Sequence, residues 1–157
     1  MASTKDPYNM PYDVNIQIVP ASRYTGMGFY SFGQTRSLGV RGIQKLVNIV
    51  AKYLLTPVGT DPFDITYGTN LTSLIGSNVA LEDAREVLDM AVSEAATAIQ
   101  NYQALQSSVD DDERLSSVVV TDYIEVPEGP GFAAQILITN VTNQQLQIVL
   151  PTLEVRS

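Results

Sequence analysis

The side chains able to do chemistry in this chain are nearly all carboxylates. Glu82 and Glu86 stand one helical turn apart, Asp61 and Asp64 lie in a Pro- and Gly-rich stretch, and Asp110-Asp111-Asp112-Glu113 is an unbroken acidic run. Paired carboxylates are the working groups of glycosidases, where two of them flank the scissile bond roughly 5 to 9.5 Å apart and one has a raised pKa. Chelation is the other use, but the acidic run lacks the Gly and the distal Glu of an EF-hand loop. The 157 residues contain no Cys, no His and no Trp, which removes disulfides, thiolate metal sites and any triad built on an imidazole base. Gly26-Met27-Gly28 is too short for a phosphate cradle and is not set between a strand and a helix. Glu82 and Glu86 share a face away from the apolar stripe, where water keeps a carboxyl near its ordinary pKa. The acidic run reads as a solvated turn. The sequence therefore points away from an enzyme, and no cofactor or metal is expected.

The elements that would position these groups follow from periodicity. Val14, Ile16 and Ile18 alternate with polar residues, a short strand signal ended by Pro20 within an otherwise aperiodic arm. Tyr24, Phe29, Tyr30 and Phe32 sit among glycines, as in an aromatic hairpin or an adhesive loop. From Val40 the period changes. Val40, Ile43, Val47, Val50, Ala51 and Leu54 recur at helical spacing, with Arg41, Lys45, Asn48 and Lys52 between them, and Pro57 stops the helix near Leu55. Asn78 is placed to cap a second helix, whose stripe is Leu81, Ala84, Leu88, Ala91, Ala95, Ala98, Ile99 and Tyr102. Three strands then follow, over 115–126, 133–139 and 145–150, joined by short turns. The expected fold is α+β: two main helices packed on a C-terminal antiparallel three-stranded meander, with residues 1–38 as an irregular arm containing a short strand and 39–157 as the domain.

The formal charge of -8 hides an asymmetry. Lys5, Arg23, Arg36, Arg41, Lys45 and Lys52 outnumber Asp6 and Asp13 in the first 60 residues, a net of +4; the remainder carries -12. An acidic chain is a poor ligand for nucleic acid or anionic lipid, and no stretch approaches a membrane span of roughly 20 apolar residues. Surfaces remain. The strand of Gln145, Leu146, Gln147, Ile148, Val149 and Leu150 is uncharged, ends at Pro151, and lacks the Lys or bulge that usually blunts an edge. Two readings stand side by side: a partner adds a strand there, or the N-terminal strand around 14–19 covers it. Under the first, Leu146, Ile148 and Leu150 would set register, and Ile148→Pro would block pairing with the fold intact.

The segment after the first helix carries a resemblance. Leu54-Leu55-Thr56-Pro57-Val58-Gly59, a polar turn, Tyr67-Gly68 and Leu71 follow the order found in the small baseplate wedge family of contractile phage tails, the sheath initiators. The long helix and C-terminal meander complete the pattern, and the resemblance covers roughly residues 38–150. Leu55, Thr56, Gly59, Tyr67, Gly68 and Leu71 are the family loop positions. The family's Glu-Pro-Arg triplet before the meander aligns with Asp112-Glu113-Arg114-Leu115, which keeps an acid and an Arg but lacks the Pro. The resemblance implies a structural protein of the virion's tail baseplate, assembled in the host cytoplasm. It would bind the wedge proteins and the hub, and offer a strand platform on which tail sheath protein begins to polymerise. Asp112 and Arg114 would make charged partner contacts, and the arm would reach tube or hub proteins. The alternatives are another small tail adaptor or terminator, an assembly chaperone, and, last, a carboxylate-type peptidoglycan glycosidase.

Overall fold

The computed structural model describes residues 13–14, 39–71, 81–125 and 131–154. Within them the order is β1 (Asp13–Val14), β2 (Gly39–Val40), α1 (Ile43–Leu55), α2 (Leu81–Ala104), a 3-10 turn (Asp111–Glu113), β3 (Leu115–Glu125), β4 (Gly131–Asn140) and β5 (Gln145–Glu154). β3, β4 and β5 form an antiparallel meander in that spatial order, so β3 and β5 are its edges. Both helices lie on one face of it, α2 chiefly over β3 and α1 over β4 and β5. This is the expected α+β arrangement.

Alternation on the strands and 3.6-residue spacing on the helices bring one apolar set together. Phe132, Ala134, Ile136 and Ile138 of β4 and Ile148 and Leu150 of β5 meet Leu46, Val50 and Leu54 of α1 and Ala84, Leu88, Ala95 and Ile99 of α2. Phe132 is the largest side chain fully enclosed, a burial worth about 2–3 kcal/mol. On the flank, the Tyr123 ring packs edge-on against Phe132, lies 4.9 Å under the Arg85 guanidinium, and donates its hydroxyl to Asp89 Oδ1 at 2.7 Å. These contacts tie β3 to α2.

Four features differ from the sequence expectation. α1 starts at Ile43, because Gly39–Val40 pair with Asp13–Val14 and Gly42, at φ +62°, turns the chain into the helix. Asn48, expected on the polar face, is buried. On α2 the buried series runs through Leu88, Val92, Ala95, Ile99 and Gln103, while Tyr102 is exposed. Steps of four, three, four and four keep one side of the helix inward, and the last of them puts residue 103 rather than 102 on that side. β5 does not stop at Leu150 but continues through Pro151 to Glu154. Leu150 pairs with Ala134 and Leu153 with Phe132, leaving Pro151 and Thr152 opposite Ala133 in a bulge, where the ladder tolerates a residue with no N–H. The N-cap expected at Asn78 and most of the strand expected over 14–18 lie outside the described residues; Asp13–Val14 pairs with β2.

Candidate functional site: an open strand edge and two clamped helix ends

The polarity of the β5 edge is set by the hairpin before it. Asn140 N–H donates to the Gln144 carbonyl (3.1 Å) and Asn143 N–H to the Asn140 carbonyl (3.1 Å), with Asn143 at φ +62°. This is a type I turn followed by a left-handed residue, the usual three-residue hairpin loop. Asn140 itself is fully buried, its amide bonded to the Asp112 carbonyl, Gln144 and Thr142. With 140 and 144 a hydrogen-bonded pair, antiparallel alternation directs the backbone of Leu146, Ile148 and Leu150 toward β4. The backbone groups of Gln145, Gln147 and Val149 point away from the sheet. Among the described residues, β5 pairs with β4 alone.

That geometry corrects two expectations. Ile148 and Leu150 are buried and Leu146 packs against the core, so these three anchor β5 to its own domain rather than read a partner. Ile148→Pro would break the β4–β5 ladder and empty a core position, so it cannot test the edge. Gln145 and Gln147 are the exposed members, and Gln147 Nε2 bonds Gln135 Oε1 (2.7 Å) and Thr121 Oγ1 (3.2 Å) across the outer face.

At the N-terminal end of α1, the acidic run is not the solvated turn its composition suggests. Asp110 and Asp111 are exposed, but Glu113 is only 6% exposed. Its Oε2 accepts Lys45 Nζ at 2.7 Å and its Oε1 accepts the Gly42 N–H at 3.3 Å. Gln103 donates to the Glu113 carbonyl and accepts the Leu115 N–H, both at 2.8 Å. Together these bonds join the start of α1, the end of α2 and the start of β3. Arg114 turns inward too: its guanidinium donates to the carbonyls of Gln103 (3.3 Å) and Gln106 (3.2 Å), closing the C-terminus of α2 where cations suit the helix dipole. Asp112 is half-buried, and a methyl added at Gly42 would come within 2.8 Å of its Oδ2. A chain with no interior place for Glu113 on its own finds one through Lys45, a pairing 68 residues apart that no local spacing announces.

The C-terminal end of α1 holds the loop positions on which the resemblance rests, and the structure makes most of them a clamp. Thr56 is extended, as Pro57 requires, and both its N–H (3.0 Å) and its hydroxyl (2.7 Å) bond the Lys52 carbonyl. Thr69 N–H donates to the Thr56 carbonyl (2.9 Å), Val58 N–H to the Thr69 carbonyl (3.1 Å) and Thr69 Oγ1 to the Leu54 carbonyl (2.8 Å). Leu71 is buried in the core beneath, with its N–H on Thr69 Oγ1. Gly68, at φ +106°, lies so close that a Cβ would run into the Thr56 carbonyl oxygen. Tyr67 stacks edge-on against Tyr53 with ring centroids 4.7 Å apart, and burial raises the Tyr53 pKa above its usual 10.0. Gly59 also has positive φ but opens onto free space. Leu55 is half-buried against the core.

Among the described residues, the remaining carboxylates are exposed or bonded to their own loop. Glu82 and Glu86 are exposed on α2. Asp61 Oδ1 accepts the N–H groups of Phe63 and Asp64, and Asp64 Oδ1 accepts the Thr66 hydroxyl and N–H. Those last two bonds hold the Asp64 pKa below its usual 3.8. Among the described residues no group of three or more Asp and Glu side chains is placed to hold a metal ion, and no helix is long and apolar enough to cross a membrane.

The structural roles that sequence reasoning missed are those of Gly42, Lys45, Gln103, Glu113 and Asn140. Only Gln103 left a signal, as a polar residue continuing the four-residue series of an apolar stripe. Compared with known protein families and with curated proteins, the sequence matches none of them.

Proposed function

We propose that this chain is a structural subunit of a contractile phage tail baseplate, a sheath initiator. It binds wedge proteins and presents β5 as the strand on which the first tail sheath subunits pair. It catalyses nothing, and its place is in the virion. The observation that supports this most is the β5 edge. A ten-residue strand turns the N–H and carbonyl groups of Gln145, Gln147 and Val149 outward, with no charged side chain from 145 to 150 to repel an incoming strand. The loop positions and the order of helix, helix and meander agree with the family's pattern. Arg114 and Asp112 enter this reading only weakly, since Arg114 already serves the end of α2.

The test is Gln147→Pro, which removes one outward N–H while leaving the bonds to β4 in place. Sheath should fail to polymerise on baseplates carrying it, whereas Gln147→Ala should assemble normally. Normal sheath on the proline variant overturns strand addition. Absence of the chain from purified intact tails overturns the baseplate assignment itself.

A further inference from the structure

Phe63 is 97% exposed and Ile65 is 71% exposed, whereas most other large apolar side chains among the described residues meet in one core. Exposed apolar residues are common singly and carry no message. These two differ in being held rather than left loose. Residues 57–69 are closed at the base by the Thr56–Thr69 and Val58–Thr69 bonds, and the Phe63 and Ile65 positions are flanked by turns that Asp61 and Asp64 cap. A mobile loop must lose conformational freedom when a partner orders it; this one has already been ordered by bonds inside its own domain. From Pro57 to Leu71 the only charged residues are Asp61 and Asp64, one on each side of Phe63. The projection therefore has an apolar tip and a negative collar.

We propose that this loop is a docking knob, and that its occupant is a partner protein presenting an apolar cavity rimmed by Lys or Arg. Phe63 fills the cavity, Ile65 packs beside it, and the Asp61 and Asp64 charges meet the basic rim. Aromatic anchors seated in such cavities carry a large share of interface affinity, and collar charges of opposite sign speed encounter. A second copy of this chain offers a net positive charge only in its first 60 residues, +4 against -12 in the remainder, so it is the competing occupant that the cross-linking separates. The knob sits at the Leu55 end of α1 and makes no use of the β5 backbone, so it stands apart from the sheath-initiator reading: Gln147→Pro leaves it untouched.

The experiment places a photoreactive benzoylphenylalanine at position 63 of the full chain, with exposed Asn101 on α2 as the control position. Cells that make the chain are irradiated, the cross-linked peptides mapped, and the partner purified for affinity measurement. The expected result is one protein, cross-linked at an apolar cavity beside Lys or Arg. Phe63→Ala should weaken the purified pair by about 30-fold. The double variant Asp61→Asn, Asp64→Asn keeps both Oδ1 acceptors, and should slow association by about 10-fold at low salt and little at high salt. Thermal stability should not change with Phe63→Ala. Four results would each overturn the proposal: no cross-link above the Asn101 control, cross-linking to a second copy, a contact site without basic residues, or unchanged affinity with Phe63→Ala.

Discussion

The two ends of α1 are held by similar means to opposite effect. At its start, an acidic turn folds inward, and Glu113 spends its charge on Lys45 and Gly42 inside the domain. At its end, an acidic loop folds back on itself, and Asp61 and Asp64 spend theirs on neighbouring N–H groups while Phe63 stands in solvent. Both clamps satisfy backbone groups that a helix end leaves orphaned. The difference lies in reach. Glu113 has a cation across the fold to join, so its turn becomes a knot between elements. Asp61 and Asp64 have only local donors, so their loop becomes a self-supporting projection. A knot serves stability; a projection is free to serve recognition.

That contrast is open to experiment. Glu113→Ala leaves Lys45 and the Gly42 N–H without their acceptor in a mostly buried place, and should lower unfolding free energy by about 3 kcal/mol in urea titration. Adding Lys45→Met should recover part of the loss; full additivity would mean the two do not act as a pair. Gly68→Ala comes next, at about 2 kcal/mol, because the new Cβ meets the Thr56 carbonyl and the backbone angle is strained. Its signature should be local: faster amide exchange at Thr69 and Val58, with the β-sheet unaffected. Uniform loosening would show that the loop is no separate clamp.

Tyr123→Phe removes the hydroxyl bond to Asp89 and should cost about 1 kcal/mol near neutral pH. Burial, then the hydrogen bond to Asp89, raise the Tyr123 pKa above its usual 10.0. Stability from a raised group is whole below the unfolded value and fades as pH climbs through the folded one, so the wild type should weaken above pH 10.0. The Phe variant should lose less there. The smallest effect concerns Asp64, whose lowered pKa works in the opposite direction. Its contribution is present above the unfolded value of 3.8 and is lost as pH falls through the lower folded one. The Thr66 amide resonance should titrate with a midpoint below 3.8, and Asp64→Asn should abolish that titration while keeping the turn.

Much of this was legible in the sequence. The periods of α1 and α2, the stop at Pro57 and the three strands with their turns follow from local propensity and alternation, which depend on neighbours a few residues away. The α+β layering follows as well, since one apolar face per element must find another. Where the reading failed, the missing information was distant in the chain. Asn48 and Gln103 look polar and are buried, and Gln103 is received by the Glu113 carbonyl and the Leu115 N–H of the segment that folds back on the helix. Pro151 looked like a terminus and became a bulge, because β4 supplied the register. Alternation alone suggests that Leu146, Ile148 and Leu150 set register with a partner and that Ile148 offers it an N–H, yet backbone direction depends on which residue pairs close the hairpin, and Asn140 with Gln144 decides that.

By itself, then, the sequence determined the two main helices, the three strands of the meander, the acidic net charge and the lack of His and Cys. Only the tertiary structure decided which carboxylate is buried, which backbone groups of β5 point away from the sheet and which aromatic ring is left in water. The physical reason is that side-chain type and spacing act locally, whereas burial and hydrogen-bond pairing are set by whatever the rest of the chain brings alongside.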